Sequence, residues 1–263
     1  MALTADAGRA EKSFDRARLR VWVDRIALFV GAIALWQLLS STIVGPFWIS
    51  SPVMVAERLW SLTVSGMLFW HASATVWQAL LGLVLGIVVG CAFGLVLHLN
   101  QRLAQASDPY IMGLYSLPRI ALAPLFMLYF GIGLLSKVMM AFSFVVFIFL
   151  LNTMQGLREV DQDQIDMMRS MRASKLYIAR RLQLPSLMPW LFSAARISVG
   201  LALIGSVLGE LLGANRGLGW YIEHASGRLD TTGLFAGLTA LMIVAVLLNQ
   251  AVNLVERWIS PAR

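Results

Sequence analysis

Residues 72–97 read ASATVWQALLGLVLGIVVGCAFGLVL, and Ala72–Leu97 carries no Asp, Glu, Lys or Arg. An uncharged apolar run of about 18 or more residues is long enough, as a helix, to cross a hydrocarbon core roughly 30 Å thick. A core helix of a water-soluble protein is shorter and keeps a polar face. Val138–Leu151 is a second charge-free run. Composition agrees, since 59% of the 263 residues are hydrophobic, 13% are charged and the mean hydropathy is +0.74. That is too little charge to cover a soluble surface. The chain reads as an all-α, polytopic membrane protein.

Outward from this run, the pattern predicts about six transmembrane helices, near Arg25–Val44, Ala72–Leu97, Ile120–Ile132, Leu134–Gln155, Pro189–Leu212 and Gly233–Val255. Pro118 and Pro124 interrupt the third and Gly131 and Gly133 close it, which predicts a short or broken helix. Ser107–Leu117, just before it, is expected along the membrane surface. Residues 1–24 read as a cytoplasmic N-terminal tail with no removable signal peptide, and 25–263 as the transmembrane domain. Trp48, Trp60, Phe69 and Trp70, in the loop Gly45–Trp70, fit an interfacial aromatic belt.

A net charge of +7 suits a nucleic-acid partner, but the Lys and Arg residues fall between apolar runs, where they act as topology signals. With the N-terminus inside, fifteen lie in inner segments, from Arg9 to Arg263, and four in outer loops: Arg58, Lys137, Arg216 and Arg228. That bias predicts cytoplasmic N- and C-termini. Cys91 is the sole cysteine and has no internal partner. His71, His98 and His224 are scattered between the two sides, which predicts no metal site, and no nucleophile arrangement is present.

Asp161–Pro185 reads DQDQIDMMRSMRASKLYIARRLQLP. Met167, Met171, Ile178 and Leu182 recur at spacings of three and four, interleaved with Arg172, Lys175, Arg180 and Arg181, which predicts helical turns with one apolar and one charged side. Such a segment either lies on anionic lipid or enters a groove on a cytoplasmic partner. Its periodicity does not choose between them.

Its spacing resembles the cytoplasmic loop (the EAA loop) of ATP-binding-cassette importer permeases. That motif runs Glu-Ala-Ala, three residues, Gly, nine residues, then Ile or Leu, any residue, Leu-Pro. Asp166, Met167 and Met168 stand at Glu-Ala-Ala, Arg172 at Gly, and Leu182-Gln183-Leu184-Pro185 at the end; Met171, Ala173 and Ser174 flank the Gly position. Ile49–Leu59 (ISSPVMVAERL), Leu117–Val138 (LPRIALAPLFMLYFGIGLLSKV), Ser193–Ile222 (SAARISVGLALIGSVLGELLGANRGLGWYI) and Asn253–Trp258 (NLVERW) resemble the nitrate/sulfonate/taurine branch, bicarbonate permeases included. The resemblance covers most of the chain from Ile49 onward. Glycine permits a bend closed to other residues, so Arg172 predicts a loop that is straighter or differently bent. A partner groove should be adapted to Met167 and Met168.

The resemblance implies a MetI-like permease fold and a non-catalytic transport subunit of the bacterial inner membrane. It implies a homodimer working with two cytoplasmic ATPase subunits docked on residues 156–189 and a periplasmic or lipid-anchored solute-binding protein. The implied solute is a small organic or inorganic anion such as a sulfonate, nitrate or carboxylate. ATP and Mg belong to the partner ATPase and the chain itself needs no cofactor. Indeed none of Lys12, Lys137 and Lys175 follows a glycine, so no phosphate-cradling G-x-x-x-x-G-K-[ST] loop is present. A stand-alone secondary transporter or channel, or a membrane scaffold, leaves the loop spacing unexplained.

Ionisable groups inside membranes mark functional sites, which makes Arg119, Arg196 and Glu210 the translocation-path candidates. Arg196 and Glu210 are fourteen residues apart on one predicted helix and cannot meet, so each requires another partner or a solute. Gly82, Gly86, Gly90 and Gly94 form a small-xxx-small face suited to close helix packing, within the chain or at a dimer seam.

Overall fold

The computed structural model describes residues 2–259, with side chains from Arg20 onward. The inner-side charges assigned above to Arg9, Lys12, Arg16, Arg18 and Arg263 therefore lie outside the described side chains. Every regular element among the described residues is helical. In chain order these are α1 (Ala2–Thr42), α2 (Pro46–Ile49), α3 (Pro52–Val64), α4 (Met67–Leu99), α5 (Gln101–Ser116), α6 (Ala123–Phe130) and α7 (Leu134–Arg158). They continue with α8 (Gln162–Ser170), α9 (Lys175–Ile178), α10 (Leu184–Leu212), α11 (Leu218–Gly227) and α12 (Thr231–Ile259).

Five stretches are long and apolar enough to span a membrane: Arg20–Thr42, Met67–Leu99, Leu134–Arg158, Lys175–Leu212 and Thr231–Ile259. The sixth is a bent pair, Gln101–Ser116 with Arg119–Phe130, meeting at 86°. The cause is local. Leu117 precedes a proline and is extended (φ −62°, ψ 134°), because the Pro118 ring disfavours helix at the residue before it. A 3-10 turn at Arg119–Leu122 then leads into α6, which Gly131 ends at φ 73°. The break is where the prolines place it, but the apolar unit starts at Gln101 rather than Ile120, and Ser107–Leu117 is part of it.

The central three-helix core of α4, α7 and α10 is built from small residues. Gly82, Gly86, Gly90 and Gly94 all face α7, and a Cβ on Gly90 would stand 2.5 Å from the Val146 carbonyl oxygen. Ala141, Ala194 and Ala202 sit in the same core, while Val84, Val88, Phe93, Met242 and Val246 are exposed. Lipid is as apolar as leucine, so helices associate by close backbone approach through small side chains and present the large ones outward. The glycine stripe is thus an intrachain seam, which removes the dimer alternative for that face.

At the end of the bundle away from α8 and α9, hereafter the far end, polar ties hold the short helices. Arg58 pairs with Asp230 at 2.9 Å, Ser50 Oγ lies 2.9 Å from Thr232 Oγ1, and the Trp36 indole donates to the Ile49 carbonyl at 3.0 Å. The exposed positions of Trp48, Trp60, Phe69 and Trp70 suit the predicted interfacial belt.

Candidate functional site

The loop between α7 and α10 folds on its own small core. Val160, Ile165 and Ile178 are buried, with Met168, Ala173 and Leu182 packed on them. Asp161 caps α8 by accepting from the Asp163 N–H, and Ser174 caps α9 by accepting from the Tyr177 N–H. The predicted apolar stripe therefore divides. Ile178 and Leu182 turn inward, whereas Met167, Met171, Leu176 and Tyr177 are exposed beside Arg169, Arg172, Lys175, Arg180 and Arg181. Leu176, Tyr177, Arg180 and Arg181, with Ser174, border a groove of about 280 Å³. Asp166 is exposed and bonds Arg169 at 3.0 Å, while Leu184 and Pro185 are exposed at the start of α10.

Where Arg172 predicted a straighter or differently bent loop, the chain makes a glycine-like turn. Arg172 takes φ 59°, its N–H donates to the Arg169 carbonyl at 2.8 Å, and the Ala173 N–H reaches the Met168 carbonyl at 3.0 Å. Those two bonds are the Schellman ending of a helix, in which the residue at Arg172's position is usually glycine. Ala173 and Met168 both pack on the loop's buried core of Val160, Ile165 and Ile178, an apolar contact on each side of the turn. Two satisfied carbonyls and that contact outweigh a left-handed L-residue, which costs about 1–2 kcal/mol. Arg172→Gly is accordingly expected to raise thermal stability by about 1 kcal/mol without straightening the loop, and Arg172→Val to lower it. Thermal unfolding of the detergent-purified variants checks both.

The loop is joined rigidly to the bundle. From Ala179 to Gln183 the chain is a π-helix, with the Leu184 N–H reaching back to the Ala179 carbonyl. Pro185 has no N–H and its ring would press on the carbonyl four residues earlier, which the wider turn accommodates. Lys175–Leu212 is consequently one near-continuous helical rod, so the predicted start at Pro189 is corrected to Leu184, with Pro189 inside the helix. At the other junction Gly156 of α7 lies against Leu187 and Trp190 of α10.

The three path candidates part company. Arg196 bonds Glu256 of α12 at 2.6 Å. Glu210, 1% exposed, accepts from Thr75 Oγ1 at 2.9 Å and from the Gly219 N–H at 2.8 Å, while the Leu218 N–H donates to Thr75 Oγ1 and the Gly217 N–H to His71 Nδ1. This cluster fastens the start of α11 onto α4 and α10. Gly217 (φ 130°) lies so close to the Glu210 carboxylate that a Cβ has no room. Arg119 is different. It donates to the Tyr115 carbonyl at 3.3 Å and lies over the rings of Tyr115, Phe144 and Phe147 at 5.2–5.7 Å, with no carboxylate bonded to it among the described residues.

Lys137 corrects the outer-loop assignment. It sits in the first turn of α7, 4% exposed, and its ammonium donates to the carbonyls of Gly133 (3.0 Å) and Gly213 (2.9 Å). His71 and His224 both stack on Trp220, at 5.2 and 4.8 Å, so two of the three histidines share one far-end aromatic.

Residues 82–263 match the family described as the binding-protein-dependent transport system inner membrane component. The chain belongs to this family. It is 32% identical over 235 residues to the formylaminopyrimidine transport permease protein ThiX of Halalkalibacterium halodurans, covering 89% of this chain and 94% of that one. It is 30% identical over 237 residues to the putative aliphatic sulfonates transport permease protein SsuC of Bacillus subtilis, covering 90% and 86%. Its fold is that of a chain of the MetNI methionine ABC transporter in inward-facing form, with TM-score 0.63 and 23% identity over 73% of this chain and 95% of that chain. This inner membrane component is therefore a multi-pass, non-catalytic permease subunit of an ABC importer for small solutes, in the nitrate/sulfonate/taurine branch. The MetI-like fold expected from the loop and its flanks is the one observed. Sequence reasoning missed Lys137 because its segment, Leu134 onward, was read as a span while the lysine itself was counted in the loop before it.

Proposed function

We propose that this permease carries a small organic or inorganic anion inward, driven by two cytoplasmic ATPase subunits that dock on residues 156–189 of two permease copies. A solute-binding protein delivers the anion to the far end, and both termini of the permease are cytoplasmic. The observation that supports this most is the continuity of Lys175–Leu212. An exposed apolar and basic surface at one end of a rod is mechanically linked to the α4–α7–α10 core at the other. Force from closing ATPases on Met167, Met171, Arg172, Leu176 and Tyr177 would therefore tilt α10 rather than dissipate in a flexible loop. Arg119, on the broken span and with no carboxylate bonded to it among the described residues, is the path candidate that this reading retains for the anion. Arg196 and Glu210 have structural partners.

Reconstitution tests the reading. Proteoliposomes holding the permease, its ATPase and its binding protein are expected to accumulate solute only with all three and ATP. Uptake without ATP or ATPase would instead identify a secondary transporter or channel. Binding of the ATPase without uptake of any anion offered would identify a scaffold.

A further inference from the structure

A cavity of about 450 Å³ opens at the far end, walled by the first turns of α4, the start of α7 and the Gly213–Gly217 connection. Its polar lining is Gln78, Lys137, Asn215 and Arg216, its apolar lining includes Trp77 and Leu134, and no Asp or Glu lines it. The donors are arranged. Gln78, 6% exposed, accepts from the Ser206 hydroxyl at 2.9 Å, and among the described residues no hydrogen bond engages its amide N–H groups. Lys137 uses two of its three N–H donors on the Gly133 and Gly213 carbonyls, which leaves one. Arg216 is held by stacking on Trp70 at 3.6 Å and by bonds from Nε to the Trp70 carbonyl and from Nη2 to Ser73 Oγ, which leaves Nη1. The nearby acid, Glu210, has its oxygens taken by Thr75 and Gly219 behind the wall. The first turn of α7, whose N-cap Gly133 offers no side-chain acceptor, adds the positive end of a 25-residue helix.

We propose that this cavity is a binding site for an organic oxyanion, its sulfonate or carboxylate oxygens on Lys137, Gln78 and Arg216 and its short apolar body against Trp77 and Leu134. Capping α10 at Gly213 and bonding the Gly133 carbonyl at the start of its own helix account for two of the lysine's donors, but not for the Gln78 amide N–H groups, which open on the same cavity. An oxyanion accepts from all three donors at once, and charge-assisted bonds strengthen where low-dielectric walls surround them. A neutral ligand of the same shape forgoes the charge-assisted part of those bonds. The site deepens the importer reading and rests on it only for its role as a station between binding protein and path.

Calorimetric titration of the purified full-length permease in nanodiscs, with butanesulfonate against butanesulfonamide, tests the site. Saturable binding of the sulfonate is expected, with the uncharged sulfonamide weaker by at least about tenfold. Gln78→Glu retains an acceptor for Ser206 but turns a carboxylate toward the anion, and is expected to weaken sulfonate binding by about tenfold or more. Arg216→Gln, on the exposed rim, is expected to weaken it in the same direction and serves where Gln78→Glu fails to fold. Equal binding of the two ligands, or sulfonate affinity unchanged in the folded variants, overturns the site. ATP-driven uptake that persists while sulfonate binding is absent sinks the site and leaves the importer standing. Sulfonate binding without any ATP-driven uptake does the reverse.

Discussion

A permease carrying Met167→Asp and Leu176→Asp together is expected to fold, insert and lose ATP-driven uptake by a factor of about 100 or more. Both side chains are exposed, at 61% and 70%, so changing them costs the free permease little. In a partner groove each would bury an apolar side chain at about 1.5–3 kcal/mol, and two such losses correspond to a factor between about 100 and 10,000 in affinity. The flanking Arg169, Lys175, Arg180 and Arg181 call for an acidic partner surface, which the new carboxylates would also repel. Ile165→Asp is the contrasting variant: Ile165 is 8% exposed in the loop's own core, so its loss should unfold the loop itself. Uptake and ATPase co-purification in parallel separate the two. Wild-type uptake by the double variant would remove this face from coupling and leave lipid as what it meets.

The membrane class and the broken third span were legible because each depends on residue order alone: charge-free length and proline placement. What escaped depends on which neighbour a side chain meets. Apolar residues spaced three and four apart across Met167–Leu182 marked a helical stripe, yet the Arg172 turn sends part of that stripe into a private core and part outward. The bend itself was put in doubt because residue propensity was weighed without the carbonyls of Met168 and Arg169, which the turn satisfies. Propensity is worth about 1 kcal/mol, and a buried orphan carbonyl about as much or more. Glu210 was correctly singled out as unable to meet Arg196, but Thr75 and the Gly219 N–H lie 135 and 9 residues away and carry no periodic signature. Lys137 stood one turn inside a helix start, where a boundary error of a few residues changes a loop charge into a buried one.

Glu210→Ala is expected to lower stability by about 2–4 kcal/mol, the cost of leaving two buried hydrogen-bond donors without their acceptor. The alanine leaves the Gly219 N–H without an acceptor and the Thr75 hydroxyl without the carboxylate it donates to, in a pocket where Glu210 is 1% exposed. It also strips Lys137, 4% exposed, of the nearest buried negative charge. Glu210→Gln keeps an oxygen for Gly219 but exchanges the charge and one acceptor oxygen for an NH2 donor facing Thr75, so a smaller loss of about 1–2 kcal/mol is expected. Since the cluster anchors the start of α11, the alanine variant should also free that helix before the bundle melts. Leu218, 1% exposed, reports on this: in a Cys91→Ser background, Leu218→Cys should resist thiol alkylation with Glu210 in place and react readily with alanine there. A glutamine variant that stays protected and still transports places Glu210 in the scaffold of the far end. A glutamine variant that stays protected but cannot transport would return the carboxylate to the solute path, because protection at position 218 shows that the α11 anchor holds without the carboxylate.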